Sequence, residues 1–116
     1  MEKQLQVDIT KIDAEKVRPL RHSELRKGQD FSTTSYLEDY EADTFHMACI
    51  VDEKIVTCAT FYPEKSTKIK SENAYRLRGM ATDSNSQRKG YATDLMIESF
   101  KELKKKELIY YGAMLV

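Results

Sequence analysis

The chain has 116 residues, enough for one domain and no second independent core. Hydrophobic residues make up 41% and charged residues 33%, the balance of an ordinary globular interior beneath a well-solvated surface. Nineteen basic residues offset nineteen acidic ones, so no overall field draws the chain to nucleic acid or to a membrane surface, and neither is expected as a partner.

Locally the charge is uneven. Glu38, Asp39, Glu41 and Asp43 form an acidic patch, while Arg76, Arg78, Arg88 and Lys89 are opposed nearby by Asp83 alone. A basic cluster in a neutral chain suits a small anionic ligand better than a polyanion. Met1-Glu2-Lys3-Gln4 leads into a mixed polar stretch unlike a signal peptide, and nothing approaches the ~20 apolar residues of a membrane span. Two cysteines, Cys49 and Cys58, are too few for a secreted disulfide scaffold, so a cytoplasmic, reducing location is expected. Buried free thiols are the expected state of both, although their near-symmetric places about a turn could set them face to face.

Leu5, Val7 and Ile9 alternate with polar residues and predict a short half-buried strand. Asp13 is placed to cap a helix carrying Ala14, Val17, Leu20 and Leu25, which Pro19 is expected to break or restart and Gly28 to end. Residues 28–43 are polar with interleaved aromatics and predict a loop with one short helix. The clearest β signal follows: Phe45 to Val51 and Ile55 to Tyr62, joined by Asp52-Glu53-Lys54, predict a hairpin ending at Pro63. After a charged loop over 64–72, Ala74 to Thr82 predicts a strand with Tyr75, Leu77, Gly79 and Ala81 on one face. Arg76, Arg78, Met80 and Thr82 then take the other.

Asp83-Ser84-Asn85-Ser86 is rich in N-cap residues, and a helix is predicted from Gln87 to Glu107. Ala92, Leu95, Met96, Ser99, Phe100 and Leu103 recur at helical spacing and mark its inner face. Ala113 to Val116, after Gly112, reads as the start of another strand, parallel to its predecessor through a right-handed crossover. The class is therefore α/β, with a mixed sheet flanked by helices.

A strand running through a glycine-containing turn into a helix can hold phosphates. The first backbone N–H groups of a helix lack internal partners, and its dipole adds positive charge there. Here the first turn offers the amides of roughly Arg88 to Ala92. Gly90 and Ala92 keep the backbone approachable, and Arg88 and Lys89 add charge-assisted contacts at the rim. The competing reading of Gln-x-x-Gly-x-Ala is a helix whose small residues pack closely on the sheet.

Leu77-Arg78-Gly79-Met80-Ala81-Thr82 followed by Gln87-Arg88-Lys89-Gly90-Tyr91-Ala92 resembles the acetyl-coenzyme A signature of the GCN5-related N-acetyltransferases (GNAT), Arg/Gln-x-x-Gly-x-Gly/Ala at the head of the long helix. The resemblance implies a GNAT-like fold over residues 1–116 as a single domain, with a mixed, mostly antiparallel sheet. It implies acetyl-CoA as co-substrate, no metal, and transfer of an acetyl group to an amine whose identity the sequence does not give. The cofactor-binding residues it implies are Met80, Ala81, Thr82, Gln87, Arg88, Lys89, Gly90, Tyr91, Ala92 and Thr93, the first three through backbone pairing with the pantetheine arm. The backbone N–H near Met80 is the implied oxyanion donor.

Members of the family usually continue through a fifth strand, a further helix and two more strands. By that comparison the chain is expected to lack the C-terminal helix and last strands, and with them the tyrosine that often protonates the leaving thiolate. The sheet edge so exposed is expected to be covered in a homodimer or swapped assembly. A non-catalytic acyl-CoA-binding remnant, or an interaction module that needs a partner, is the alternative. The carboxylate base usual on the central strands has no counterpart, since Arg76 and Arg78 stand there. His46, Tyr62 and Tyr75 are candidates to reach a cleft, each with packing as the commoner role, and the acidic patch could attract a cationic amine or merely face solvent.

Overall fold

In a computed structural model the described residues are 5–63 and 74–105. The expected charged loop over 64–72, the helix beyond Lys105 and the strand at 113–116 lie outside them.

Four strands form one sheet in the order β1 (Val7–Ile12), β2 (Phe45–Val51), β3 (Lys54–Pro63), β4 (Tyr75–Thr82), each antiparallel to its neighbour. The β2–β3 turn is the two-residue connection its residues allow: Val51 pairs with Lys54, and Asp52 and Glu53 both take positive φ, 48° and 73°. That conformation matches the right-handed twist of a hairpin. β1 is more exposed than its alternation suggests, because Leu5 and Val7 face outward and Ile9 alone of the three packs on the core.

Helices cover both faces. Helix α2 (Tyr91–Lys105) buries Leu95, Ser99 and Leu103 against Phe45, Met47, Cys49, Phe61, Tyr75 and Leu77, with Phe45 and Phe61 stacked at 5.1 Å. Burial of Leu95 and Leu103 contributes about 1.5–3 kcal/mol each. Helix α1 (Ala14–Leu25) lies on the opposite face, where Val17 and Leu20 meet Cys58 and Ala81. The two cysteines accordingly sit on opposite faces, Cys49 beneath α2 and Cys58 beneath α1, and do not oppose each other: Cys49 pairs with Thr57, and Cys58 with Ala48. Both are buried free thiols, and burial pushes Cys58 up to about 11.

Three local expectations are corrected. Asp13 occupies the N-cap position with extended backbone, yet its side chain caps nothing; its carbonyl accepts from the Lys16 amide instead. Pro19 neither breaks nor restarts α1. It stands on the exposed side of an unbroken helix whose halves are held by buried Val17 on one flank and Leu20 and Arg21 on the other. Packing there outweighs the missing Pro19 N–H. Pro19→Ala should therefore raise stability by about 1–3 kcal/mol, read as a higher urea midpoint with unchanged slope. Residues 28–43 hold two short 3-10 turns rather than one helix, Phe31–Thr34 and Leu37–Tyr40. None of the described helices is long and apolar enough to cross a membrane.

Candidate functional site

The strand predicted as evenly alternating contains a bulge. Thr60 pairs with Arg78 but Cys58 with Ala81, so Gly79 and Met80 together oppose Ala59. Gly79 takes φ +66°, the left-handed conformation that bulges of this kind favour. The face assignment reverses there. Leu77 and Met80 contact the α2-side core, whereas Ala81 packs under α1, and Arg78 and Gly79 both lie against Tyr36 on the α1 side. A Cβ on Gly79 would stand 3.0 Å from Arg21 Nε and 3.1 Å from Tyr36 Cε2, so packing as well as backbone reserves the position for glycine.

Downstream, β4 ends in a braced turn. The Asp83 amide donates to the Val56 carbonyl at 2.7 Å, and its carboxylate accepts from the Asn85 amide at 3.2 Å and, more loosely, from the Ser86 hydroxyl. The Gln87 amide group reaches back to the Thr82 carbonyl at 3.4 Å. Left-handed backbone at Arg88 (φ +65°) and Gly90 (φ +82°) keeps these residues out of α2, which starts at Tyr91 and not at Gln87. The Asp94 amide closes the first helical bond onto the Gly90 carbonyl, leaving the amides of Tyr91, Ala92 and Thr93 without intrahelical acceptors. Thr82, Gln87, Arg88, Gly90, Ala92 and Thr93 line an open pocket of about 400 Å³. A Cβ on Gly90 would meet nothing within 4 Å. Close packing on the sheet is therefore not why glycine stands there; the turn conformation is, and the space above it stays clear. Free helix-terminal amides, a guanidinium and an unobstructed approach are the features that suit an anion.

The remaining predicted positions divide. Lys89 is exposed in the same turn, Tyr91 packs partly on the α2-side core, and Ala81 is buried beneath α1, so it can offer a ligand only backbone.

A second constellation, buried between α1 and the sheet, had no signal in the sequence. Arg21 is 0% exposed, and its guanidinium grips Asp39 through Nη1–Oδ2 at 2.7 Å and Nη2–Oδ1 at 3.0 Å. It also donates to the Thr34 carbonyl at 2.7 Å and to Thr60 Oγ1 at 2.6 Å, and lies 4.0 Å from the centre of the Tyr36 ring. His46 completes the network: Nε2 bonds the Asp39 carbonyl at 3.1 Å and Nδ1 meets Thr60 Oγ1 at 2.7 Å. These partners select the neutral imidazole with its proton on Nε2, since the Thr60 hydroxyl accepts from Arg21 and can then donate to Nδ1.

His46 is thus a satisfied packing residue with no ring nitrogen to spare for catalysis. Burial is the main cause that lowers its pKa. A depressed histidine leaves stability unchanged while both states are neutral, above its unfolded value of about 6.5. Below that value the unfolded chain takes up the proton first, so stability falls with pH. Urea midpoints measured from pH 7.5 to 5 should decline for the native chain, and more shallowly for His46→Gln.

Tyr62 and Tyr75 are buried as well, with the Tyr75 hydroxyl donating to the Asp43 carbonyl at 2.8 Å. The acidic patch is not one surface, since Asp39 is buried beside Arg21 while Glu38 approaches Arg78 at 3.8 Å. A cavity of about 510 Å³ lies elsewhere, between the start of α1 and His46. Lys11, Asp13, Glu15 and Asp39 are its charged lining residues, and none of Gln87 to Thr93 reaches it.

The chain has relatives. A sequence profile of the acetyltransferase (GNAT) family matches residues 14–113. An uncharacterized N-acetyltransferase of Bacillus subtilis, YitI, is 33% identical over 76 residues, which is 66% of this chain and 51% of that protein. The chain thus spans about half the length of that relative. Among solved structures, a GNAT family acetyltransferase from Brucella melitensis in complex with acetyl-CoA superposes with a TM-score of 0.73 at 18% identity, covering 89% of this chain and 71% of that one. The GNAT family N-acetyltransferase YhbS from Escherichia coli, in complex with CoA, gives 0.73 at 16% identity over 93% and 62%. With the sheet, the bulged β4 and the Gln87–Ala92 turn in place, the chain belongs to the acetyltransferase (GNAT) family.

Proposed function

We propose that this chain binds acetyl-CoA at the β4–α2 turn and serves an N-acetyltransferase that passes the acetyl group to an amine. The observation that carries the reading is the turn itself: left-handed Gly90 with open space above it, in a pocket also lined by Ala92 and Thr93 of the first helical turn. The pyrophosphate would be held by the backbone of Gln87 to Thr93, with Arg88 and Lys89 at the rim, and the pantetheine arm by the backbone of Met80, Ala81 and Thr82.

In the transfer the amine nitrogen bonds the thioester carbon and gives up a proton, the C–S bond breaks, and the thiolate takes up a proton. A bulge leaves its extra residue out of the ladder, which supports the Met80 N–H as donor to the developing oxyanion. The general base and acid are not assigned, and the engaged ring of His46 argues against its being either.

The same proposal includes a single domain over residues 1–116 and a homodimer or swapped assembly. Supporting the assembly, β4 has a strand partner on one side only among the described residues. A monodisperse monomer by light scattering at micromolar concentration removes that part. For the cofactor, calorimetric titration of the full chain with acetyl-CoA should give saturable binding in the micromolar range. No heat and no thermal shift at millimolar ligand overturns the proposal.

A further inference from the structure

The turn fixes one end of the proposed cofactor at the head of α2, and the arm then runs back along β4 from Thr82 toward Met80. Its thioester end is thereby directed to the bulge. The bulge decides which β4 side chains stand near that end on the α1 face. Gly79 contributes none, and Arg78, which an unbroken alternation would place among Met80's neighbours, stands beside it against Tyr36.

Arg78 is unlike the buried Arg21. Its side chain is 45% exposed and its guanidinium rests 4.4 Å from the centre of the Tyr36 ring. Tyr36 is itself fixed, backed by Arg21 at 4.0 Å and with its amide bonded to the Asp39 carboxylate at 2.9 Å. Arg78 forms a long ion pair with Glu38, Nη1 to Oε1 at 3.8 Å. A guanidinium stacked on an aromatic ring, and otherwise engaged by that long ion pair, is positioned to take a carboxylate edge-on through two parallel bonds. Glu38, 27% exposed at the same rim, supplies the complementary charge for an ammonium.

We propose that the acceptor is a primary amine that also carries a carboxylate, an amino acid in chemical class, with Arg78 as the residue that selects it. Arg78 takes the carboxylate and Glu38 draws the ammonium toward the bulge. A polycationic amine satisfies Glu38 but is repelled by Arg78. The proposal rests on the acetyl-CoA reading above.

Acetylated amines, as products, test the selection without requiring turnover. The full chain saturated with CoA is titrated with N-acetylglycine, N-acetyl-β-alanine, N-acetylethanolamine and N-acetylputrescine. NMR follows the Arg78 Nε–H resonance together with the Gly79 and Gly90 amides. The two carboxylates should bind at millimolar concentration and shift the Arg78 and Gly79 signals, with the neutral and cationic compounds at least about tenfold weaker. Arg78→Met, which preserves an apolar cover for Tyr36, should erase that preference, and Arg78→Lys should restore part of it.

Equal or tighter binding of N-acetylputrescine overturns the proposal. So does an undiminished preference in Arg78→Met, or no Arg78 response to either carboxylate. The Gly90 amide reports CoA independently in every sample. If it fails to respond in the native chain, the acetyl-CoA reading has failed and takes this proposal with it.

Discussion

Gly90→Glu is expected to abolish measurable acetyl-CoA binding while the chain remains folded. Two separable effects add. The first is conformational: φ at this position is +82°, where an L-residue with a Cβ costs about 1–2 kcal/mol. No clash accompanies that cost, since a Cβ there meets nothing within 4 Å, so the turn can strain without expelling the helix. The second effect is electrostatic. A carboxylate would project into the space proposed for the pyrophosphate and cancel the positive end of α2.

A loss of at least about 100-fold in affinity corresponds to about 2.8 kcal/mol, within reach of the two effects together. Gly90→Ala separates them, because it keeps the backbone cost and adds no charge. It should lose about tenfold in affinity or less, with a thermal midpoint lowered by a few degrees. Calorimetry for affinity and thermal melting for the fold decide the matter. Native-like affinity in Gly90→Glu would remove the turn from the proposed site.

How far the sequence led depends on whether a feature has a local signature. The β2–β3 hairpin was legible because β-branched and aromatic runs flank a short polar turn. The inner face of α2 was legible because helical periodicity lists its buried residues directly. The β4–α2 turn was legible in composition but not in extent. Nothing in Gln87-Arg88-Lys89 says that Arg88 adopts a left-handed conformation, which defers the helix to Tyr91.

The bulge left one trace, a glycine inside a strand, and that trace is ambiguous without the pairing register. Missing it assigned Gly79 and Ala81 to the face of Leu77, whereas both lie on the α1 side. The buried ion pair left no trace. Arg21 follows Leu20 near the end of an amphipathic helix and reads as a solvated residue, while Asp39 sits in an acidic run that reads the same way. They meet because α1 and the Leu37–Tyr40 turn pack on the same part of the sheet, over a separation of 18 residues that no short-range pattern encodes.

That hidden pair makes Asp39→Asn the most destabilising single change expected here. Both side chains are fully buried, and Asp39 is the counter-charge that Arg21 contacts. The asparagine keeps the volume of Asp39 but turns an amide N–H₂ or a single oxygen toward two guanidinium donors. It also weakens the acceptor used by the Tyr36 amide. Removing one member of a buried pair leaves an uncompensated charge and costs about 3–5 kcal/mol, against about 5–15 kcal/mol for a whole domain. The urea midpoint should therefore fall by a large fraction of its native value, with little change in slope.

The double variant Arg21→Met with Asp39→Leu removes both charges. It should recover most of that loss, because the desolvation cost that the pair bears disappears together with its attraction. Thr60 Oγ1 retains His46 as a partner in that background, whereas the Thr34 carbonyl forfeits the Arg21 donor and the Tyr36 amide its Asp39 acceptor, so the recovery should fall short of complete. If Asp39→Asn unfolds at the native urea concentration, the pair is not buried as described. If the double variant is less stable than either single change, the polar network and not the charge balance holds α1 to the sheet.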